Sequence, residues 1–462
     1  MSALRGGLRA LVIGALMMAV AHGVAWAHAR LVRAVPASGA HVPIPPTDVR
    51  LEFSESVVPR TSRVDLVGPD SQRLGLMLRA DIGDSTVLLA AVPPLSRTGE
   101  IRVEWRLVGP DGHAVTGEFG FTVDSLPAAQ SVDTTPAIAA PDVPVDAAVG
   151  DSGIQSGIRF LSLLAMVVVI GSIAFALFVV PGVSDLEFRR AIASRVRALC
   201  VAGAWVLLGL AMVRLLSHGI VLGGSLDALR LGDLADLIAG STWGRGWLLQ
   251  VAATLALLSG LRSERPWRWW MAGSVTLALG ISAPMLGHPA AVVDMPILAM
   301  GLDAVHGLTA GGWAGGILML AFAALPLVRS LAPDDRVAVI RELLRAFSPL
   351  ALSCAAALLA TGVAGAWLQL RDISLVFDSP YGFILFRKVV VVGLIVVVGA
   401  YHWRIAQPSL GTERSMVRLR VSVAIDVLLV LTVVVLTALL TGTAPPTGST
   451  SPSQAPFSWR RS

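Results

Sequence analysis

Apolar and polar positions follow two different rhythms along this chain. Between His28 and Asp124 they alternate over short stretches: Val49-Arg50-Leu51-Glu52-Phe53, Arg63-Val64-Asp65-Leu66-Val67, Ile101-Arg102-Val103-Glu104-Trp105 and Glu118-Phe119-Gly120-Phe121-Thr122-Val123. A period of two turns one face of each strand inward. Turn residues separate the runs, among them Pro36, Pro45, Pro46, Gly68-Pro69 and Gly83-Asp84. Short strands with this punctuation predict a small antiparallel sandwich over 28–124. Residues 125–153 are rich in Ala, Pro and Asp and lack aromatic side chains, the composition of a flexible tether.

Continuous apolar runs then replace the alternation. They predict eight helical spans, at 158–180, 198–220, 246–261, 269–287, 297–328, 348–369, 384–401 and 419–441. Each is long enough, or nearly so, to cross a hydrocarbon layer of about 30 Å; the third is short and the fifth long enough to tilt. Residues 154–442 therefore read as an all-α polytopic membrane domain. The tail 443–462 is rich in Pro, Ser and Thr and reads as disordered.

The first residues read as a signal peptide, 1–27. Arg5 and Arg9 precede an apolar run from Ala10 to Val24, and Ala25-Trp26-Ala27 is a small-x-small cleavage site. That run is short for a membrane span. Cleavage after Ala27 starts the mature chain at His28 and places the β-domain outside the cytoplasm.

Composition agrees with this division. The 462 residues are 55% hydrophobic and 15% charged, with mean hydropathy +0.73, as expected of a membrane protein with a smaller water-soluble part. The net charge of +5 is no nucleic-acid signature, because the arginines recur between apolar runs and Lys388 is the lone lysine. Cys200 and Cys354 both lie inside apolar runs, so the exported domain has no disulfide framework. The absence of a G-x-x-x-x-G-K-[ST] motif argues against an ATP-driven pump.

Arginine placement sets the orientation. With the β-domain outside, the first, third, fifth and seventh connections face the cytoplasm. They carry Arg189, Arg190, Arg195 and Arg197; Arg262, Arg265 and Arg268; Arg329, Arg336, Arg341 and Arg345; and Arg404, Arg414 and Arg418. Both termini then lie outside. The chain reads as a multi-pass protein of a bacterial inner membrane, with the lipid bilayer as its surroundings.

Candidate chemistry falls in two places. An N-terminal His28 offers a free amine and an imidazole from one residue, a chelate suited to Cu(II). Asp111 and His113, one residue apart, supply further donors; alternation in a strand and a Pro110-Asp111-Gly112 turn are both open. In the membrane half, Met285 and His288 are three apart, as are Asp303 and His306, with Met295 and Met300 between the pairs. Such pairs share a helical face, and with His218 they collect thioether, imidazole and carboxylate donors in the outer half. Ionisable groups inside a membrane default to functional roles, whereas Met is equally a packing residue. Asp426 lies within the eighth span.

These residues carry a family resemblance. His28, Pro36, Gly39, Pro46, Val49, Leu51, Phe53, Ser54, Glu55 and Val57 follow the opening pattern of CopC copper-binding domains. Gly99, Val103, Trp105, Arg106, Asp111, Gly112, His113, Gly117, Phe119, Phe121 and Val123 follow their closing pattern. The membrane half looks like CopD, so the chain resembles a CopC–CopD fusion. The resemblance implies a Greek-key sandwich and copper as cargo. It implies His28, Asp111 and His113 as Cu(II) ligands, Glu55 as an assisting acid, and periplasmic copper chaperones as partners. Cu(I) is expected in the membrane domain, where His288, His306, Asp303, Met285, Met295, Met300 and His218 form the candidate path. The exported domain departs from methionine-rich relatives in having only Met77.

The expected function is copper capture outside followed by import, without enzymatic activity. Two other readings remain at this stage: a membrane-tethered copper buffer, and a copper oxidase or monooxygenase built on the N-terminal histidine.

Overall fold

The computed structural model describes residues 31–54, 57–81, 83–109, 114–126, 153–223, 225, 230–263, 265, 267–287, 295–370, 374–401, 404 and 413–443. Among the described residues, nine strands form two sheets. They are β1 Leu31–Val35, β2 His41–Val42, β3 Asp48–Phe53, β4 Ser62–Val67, β5 Arg73–Gly75, β6 Met77–Ala80, β7 Val87–Ala91, β8 Gly99–Val108 and β9 Ala114–Val123. One sheet runs β1-β3-β7-β6 and the other β2-β9-β8-β4-β5.

The alternation read from the sequence is the alternation of burial. Val49, Leu51 and Phe53 of β3 face Ile101, Val103, Trp105 and Leu107 of β8 and Phe119 and Phe121 of β9 in one core. Phe53 meets Trp105 edge-on, with ring centroids 5.2 Å apart. The pairing is antiparallel except at β2, which runs parallel to β9. There the chain crosses from one sheet to the other through Gly39, at φ +74°, and Gly39 donates to the Gly120 carbonyl at 2.7 Å. A left-handed φ suits glycine. Alternation did not reveal β7, because Val87-Leu88-Leu89-Ala90-Ala91 is apolar throughout.

Helices occupy all eight predicted positions. They are α1 Gly153–Phe178, α2 Leu186–Gly223, α4 Thr242–Gly260, α5 Arg268–Met285, α6 Pro296–Met319, α7 Pro333–Leu370, α8 Pro380–Tyr401 and α9 Glu413–Leu440, with an unpredicted α3, Leu231–Gly240, between α2 and α4. Among the described residues, six helices are long and apolar enough to cross a membrane: α1, α2, α6, α7, α8 and α9. The count falls short of the expected eight because α4 and α5 carry polar residues and tryptophans, Arg245 and Gln250 in one and Arg268-Trp269-Trp270 in the other.

Two helices run well past the predicted apolar windows. α2 starts at Leu186, where the Asp185 carboxylate accepts from the Glu187 amide at 2.8 Å, an N-terminal cap. α7 begins with Pro333, a residue suited to a first helical turn. Both extensions carry the arginines assigned to cytoplasmic connections. α6 continues through a π-helical turn, Leu320–Ala324, ahead of Pro326, where proline removes an amide donor.

Candidate metal-handling sites

The sandwich brings its candidate segments together by topology. Leu31, which opens β1, pairs with Phe53, which closes β3. Ser62, which opens β4, pairs with Leu107 near the end of β8, and Val108 pairs with Ala114 at the start of β9. The Phe53 amide donates to Thr86 O at 3.0 Å and the Val57 amide to Ser85 O at 2.8 Å. Strand starts and ends thus meet at one end of the sandwich. His28 precedes Leu31 by three residues, Glu55 follows Phe53 by two, and Asp111 and His113 fall between β8 and β9. Those four residues themselves lie outside the described residues, as does His288.

The same end meets the helices. The turn Pro59–Thr61, just before β4, packs on α3, and β8 and β9 pack on α2. Arg60 lies beside Gly240, where an added Cβ would sit 3.5 Å from its Cδ. His41 instead lies on the surface, with Nδ1 3.3 Å from Asp124, and Met77 is 83% exposed.

In the helical domain the candidate donors separate into two seams. His218 on α2 is buried and stacks on Trp243 of α4, centroids 4.3 Å apart. Its Nδ1 donates to the Arg214 carbonyl at 2.7 Å, which leaves the lone pair on Nε2. The Arg214 guanidinium lies over the same indole at 5.8 Å, and Trp247 donates to Ala211 O at 2.8 Å. Gly244 lets α4 approach α3, because a Cβ there would overlap the Leu237 carbonyl.

His306 on α6 faces a different helix. Its Nδ1 lies 3.0 Å from the Thr361 hydroxyl of α7, and Gly362 leaves room for the ring, with its Cβ position 3.4 Å from Cε1. The Thr361 hydroxyl gives its one proton to Ala357 O at 2.7 Å. It must therefore accept from His306 Nδ1–H, which leaves the lone pair on Nε2. A partner that fixes the imidazole tautomer in this way is the usual support of a histidine ligand.

Asp303 lies one turn before His306 on α6 and is half-buried. Tyr381 donates to the Gln369 side chain of α7. Among the described residues the methionines lie apart from His306 and Thr361. Met295 is exposed, and Met285 packs against α4, where a Cβ at Gly246 would lie 2.6 Å from its own Cβ. Met300 is half-buried. Among the described residues no three His, Cys, Asp or Glu side chains converge as a metal cluster.

Cys200 and Cys354 are free and buried; Cys354 fills the space beside Gly312, 3.0 Å from its Cβ position. Asp426 is buried in α9. The sequence analysis did not single out Thr361, Gln369, Trp243 or Tyr381 as candidate site residues; polar side chains within apolar runs were the available signal for Thr361 and Gln369.

Three family models cover most of the chain: CopC domain over 31–124, copper resistance protein D-like N-terminal domain over 150–294, and copper resistance protein D over 341–440. The chain belongs to the CopC–CopD copper resistance family. The fusion is 25% identical over 446 residues to the copper transport protein CutJ of Bacillus subtilis (strain 168), covering 94% of this chain and 76% of the relative. Its N-terminal region is 33% identical over 107 residues to copper resistance protein C of Pseudomonas syringae pv. tomato, covering 22% of the fusion and 83% of the relative. A crystal structure of CopC from Methylosinus trichosporium OB3b is matched over its whole length and 23% of the fusion, at 27% identity and TM-score 0.20.

Proposed function

We propose that this fusion captures Cu(II) outside the cytoplasm with a Greek-key sandwich and carries copper inward through eight membrane spans, as a carrier rather than an enzyme. His28, through its amine and imidazole after cleavage, would hold the ion with Asp111 and His113, assisted by Glu55. One observation carries this reading: the strand termini flanking all four residues meet at the sandwich end that packs on α2 and α3. Capture and delivery then share one junction, and a soluble chaperone needs only to reach its rim. Inside the bundle, His306 with its Thr361 partner and Asp303 form the best-supported stop for copper; His218 lies in a separate seam nearer α4. Met285, Met295, Met300 and His288 belong to the same proposed path, in which thioethers favour Cu(I). An inner-membrane location with both termini outside follows from the arginine pattern.

N-terminal sequencing of the exported protein together with a Cu(II) titration tests the capture site. A mature start at His28 and one tight site lost in His113→Ala are expected; a start elsewhere overturns the chelate. Copper flux into proteoliposomes, abolished by His306→Ala, separates a transporter from a tethered buffer. Thr361→Val should weaken copper retention by about tenfold or more, the usual cost of removing a ligand's supporting partner.

A further inference from the structure

Two of the arginine-bearing connections assigned to the cytoplasm meet at one point of the bundle. Arg197 on α2 donates through Nη1 to the Leu261 carbonyl at 3.2 Å, just past the end of α4. Arg262 follows Leu261, so two guanidinium groups from separate connections stand at the same end. They border a cleft of about 230 Å³ between α2 and α4, walled by Val201 and Trp205 on one side and by Leu258 and Leu261 on the other. Behind it the two helices share one packed core, so the cleft is a groove on their joint surface. Arg197, Val201 and Trp205 are spaced four residues apart and follow one face of α2. Trp205 lies about 12 Å along the helix from Arg197, a depth within one half of a hydrocarbon layer of about 30 Å. It is 54% exposed, so the apolar end of the groove opens to the surroundings of the bundle. Among the described residues no carboxylate pairs with Arg197 or Arg262; Glu264 lies outside them.

We propose that this groove binds one anionic phospholipid of the cytoplasmic leaflet, with its phosphate between Arg197 and Arg262 and an acyl chain along Val201, Trp205 and Leu258. The guanidinium fork matches phosphate geometry, and basic clefts between helices on the cytoplasmic side suit phosphate headgroups. Arg197 gives one N–H to Leu261 and keeps further donors for the phosphate. A free phosphate would use only the mouth of the groove; the apolar wall running inward from it fits a hydrocarbon chain. The lipid then clamps the cytoplasmic ends of α2 and α4 together. That clamp matters most for α4, whose Arg245 and Gln250 make it a poorer match to hydrocarbon than α2.

The test uses the full-length chain in detergent and follows thermal unfolding as phospholipid is added. Phosphatidylglycerol should raise the melting temperature, and native mass spectrometry should show one retained lipid. Phosphatidylcholine and inorganic phosphate should do neither. Arg197→Gln and Arg262→Gln should each raise the half-saturating phosphatidylglycerol concentration about fivefold, the equivalent of the ~1 kcal/mol that a basic residue contributes near anionic lipid. The Arg262 side chain is exposed and bonds to no described residue, so Arg262→Gln remains decisive if losing the Arg197 bond unfolds α4. Trp205→Ala should also weaken the effect, which attraction between charges alone would not produce. Arg190→Gln, exposed on the same side and outside the cleft, should leave it unchanged. An equal loss in Arg190→Gln, or an equal shift from phosphatidylcholine, overturns the discrete site. An equal shift from inorganic phosphate overturns the lipid as its occupant. Unchanged half-saturation in both Arg262→Gln and Trp205→Ala overturns the groove altogether.

Discussion

The sandwich and the helical bundle solve the same packing problem with opposite materials. The sandwich fills its core with large side chains, Trp105, Phe121, Leu51 and Leu107 among those fully buried. It pairs charges across its faces: Arg50 with Asp81 at 2.9 Å, Arg79 with Asp48 at 3.0 Å, and buried Asp65 with Arg106 at 3.1 Å. The bundle instead brings backbones together at small residues. α1 crosses α6 where Gly171 meets Gly315, so closely that a Cβ on either would overlap the other's backbone. Its hydroxyls turn back onto their own helices, as Ser172 does to Val168 O and Thr276 to Ala272 O, both at 2.7 Å. Water rewards the burial of large apolar groups and tolerates paired charge at the surface. Lipid is as apolar as leucine, so close contact and satisfied backbone groups hold the helices together. A polar side chain that departs from this economy in the bundle is therefore informative, and His306 with Thr361 is such a departure.

Substitutions break the comparison at points of decreasing cost. Trp105→Ala should remove about 4 kcal/mol from the sandwich, as large core truncations do. Hydrogen exchange of β4 and β8 should report the loss while exchange in α1 and α6 stays unchanged. Asp65→Ala removes one of the two carboxylates paired with Arg106, which keeps Glu104 at 3.3 Å, and should cost about 2 kcal/mol, the scale of a hydrogen bond to a charged group. The double change with Arg106→Met should recover much of that, as urea titration would show. Gly171→Ala should cost the bundle about 2 kcal/mol through overpacking, read as a lower melting temperature in detergent; a neutral result would mean that α1 and α6 are not held by their close approach.

The smallest effect concerns pH. Asp84 accepts from the Thr86 hydroxyl at 2.6 Å and from its amide at 2.8 Å, and these bonds hold its carboxyl below the usual range. A lowered native pKa contributes stability that is present above the unfolded value, near 3.9 for Asp, and lost as pH falls through the native one. The urea-midpoint gap between the parent and Asp84→Asn should therefore narrow on acidification below about pH 4.

The strands that alternate and the helices that run apolar were legible as patterns, because periods of two and long hydrophobic runs reflect which solvent each face meets. Short or buried elements escaped: β1, β2, β5 and β6, of two to five residues, gave no alternation to read. β7 lacks alternation because its strand is buried along most of its length, and α3 is only ten residues long. The span count was less legible, since tryptophan and glutamine in α4 and α5 dilute hydropathy without breaking the helix.

The candidate sites divide along the same line. His28, Asp111, His113 and Glu55 were singled out by residue type and resemblance, and the pairing register brings the strand ends flanking them together. By itself the sequence determined where the two solvents act on the chain and which side chains carry imidazole, carboxylate or thioether donors. Only the tertiary structure separated His218 from His306 into different seams, stacked His218 on Trp243, and gave His306 its Thr361 partner. Side-chain chemistry is a local property of the chain, whereas adjacency between helices far apart in sequence exists only once their faces have packed.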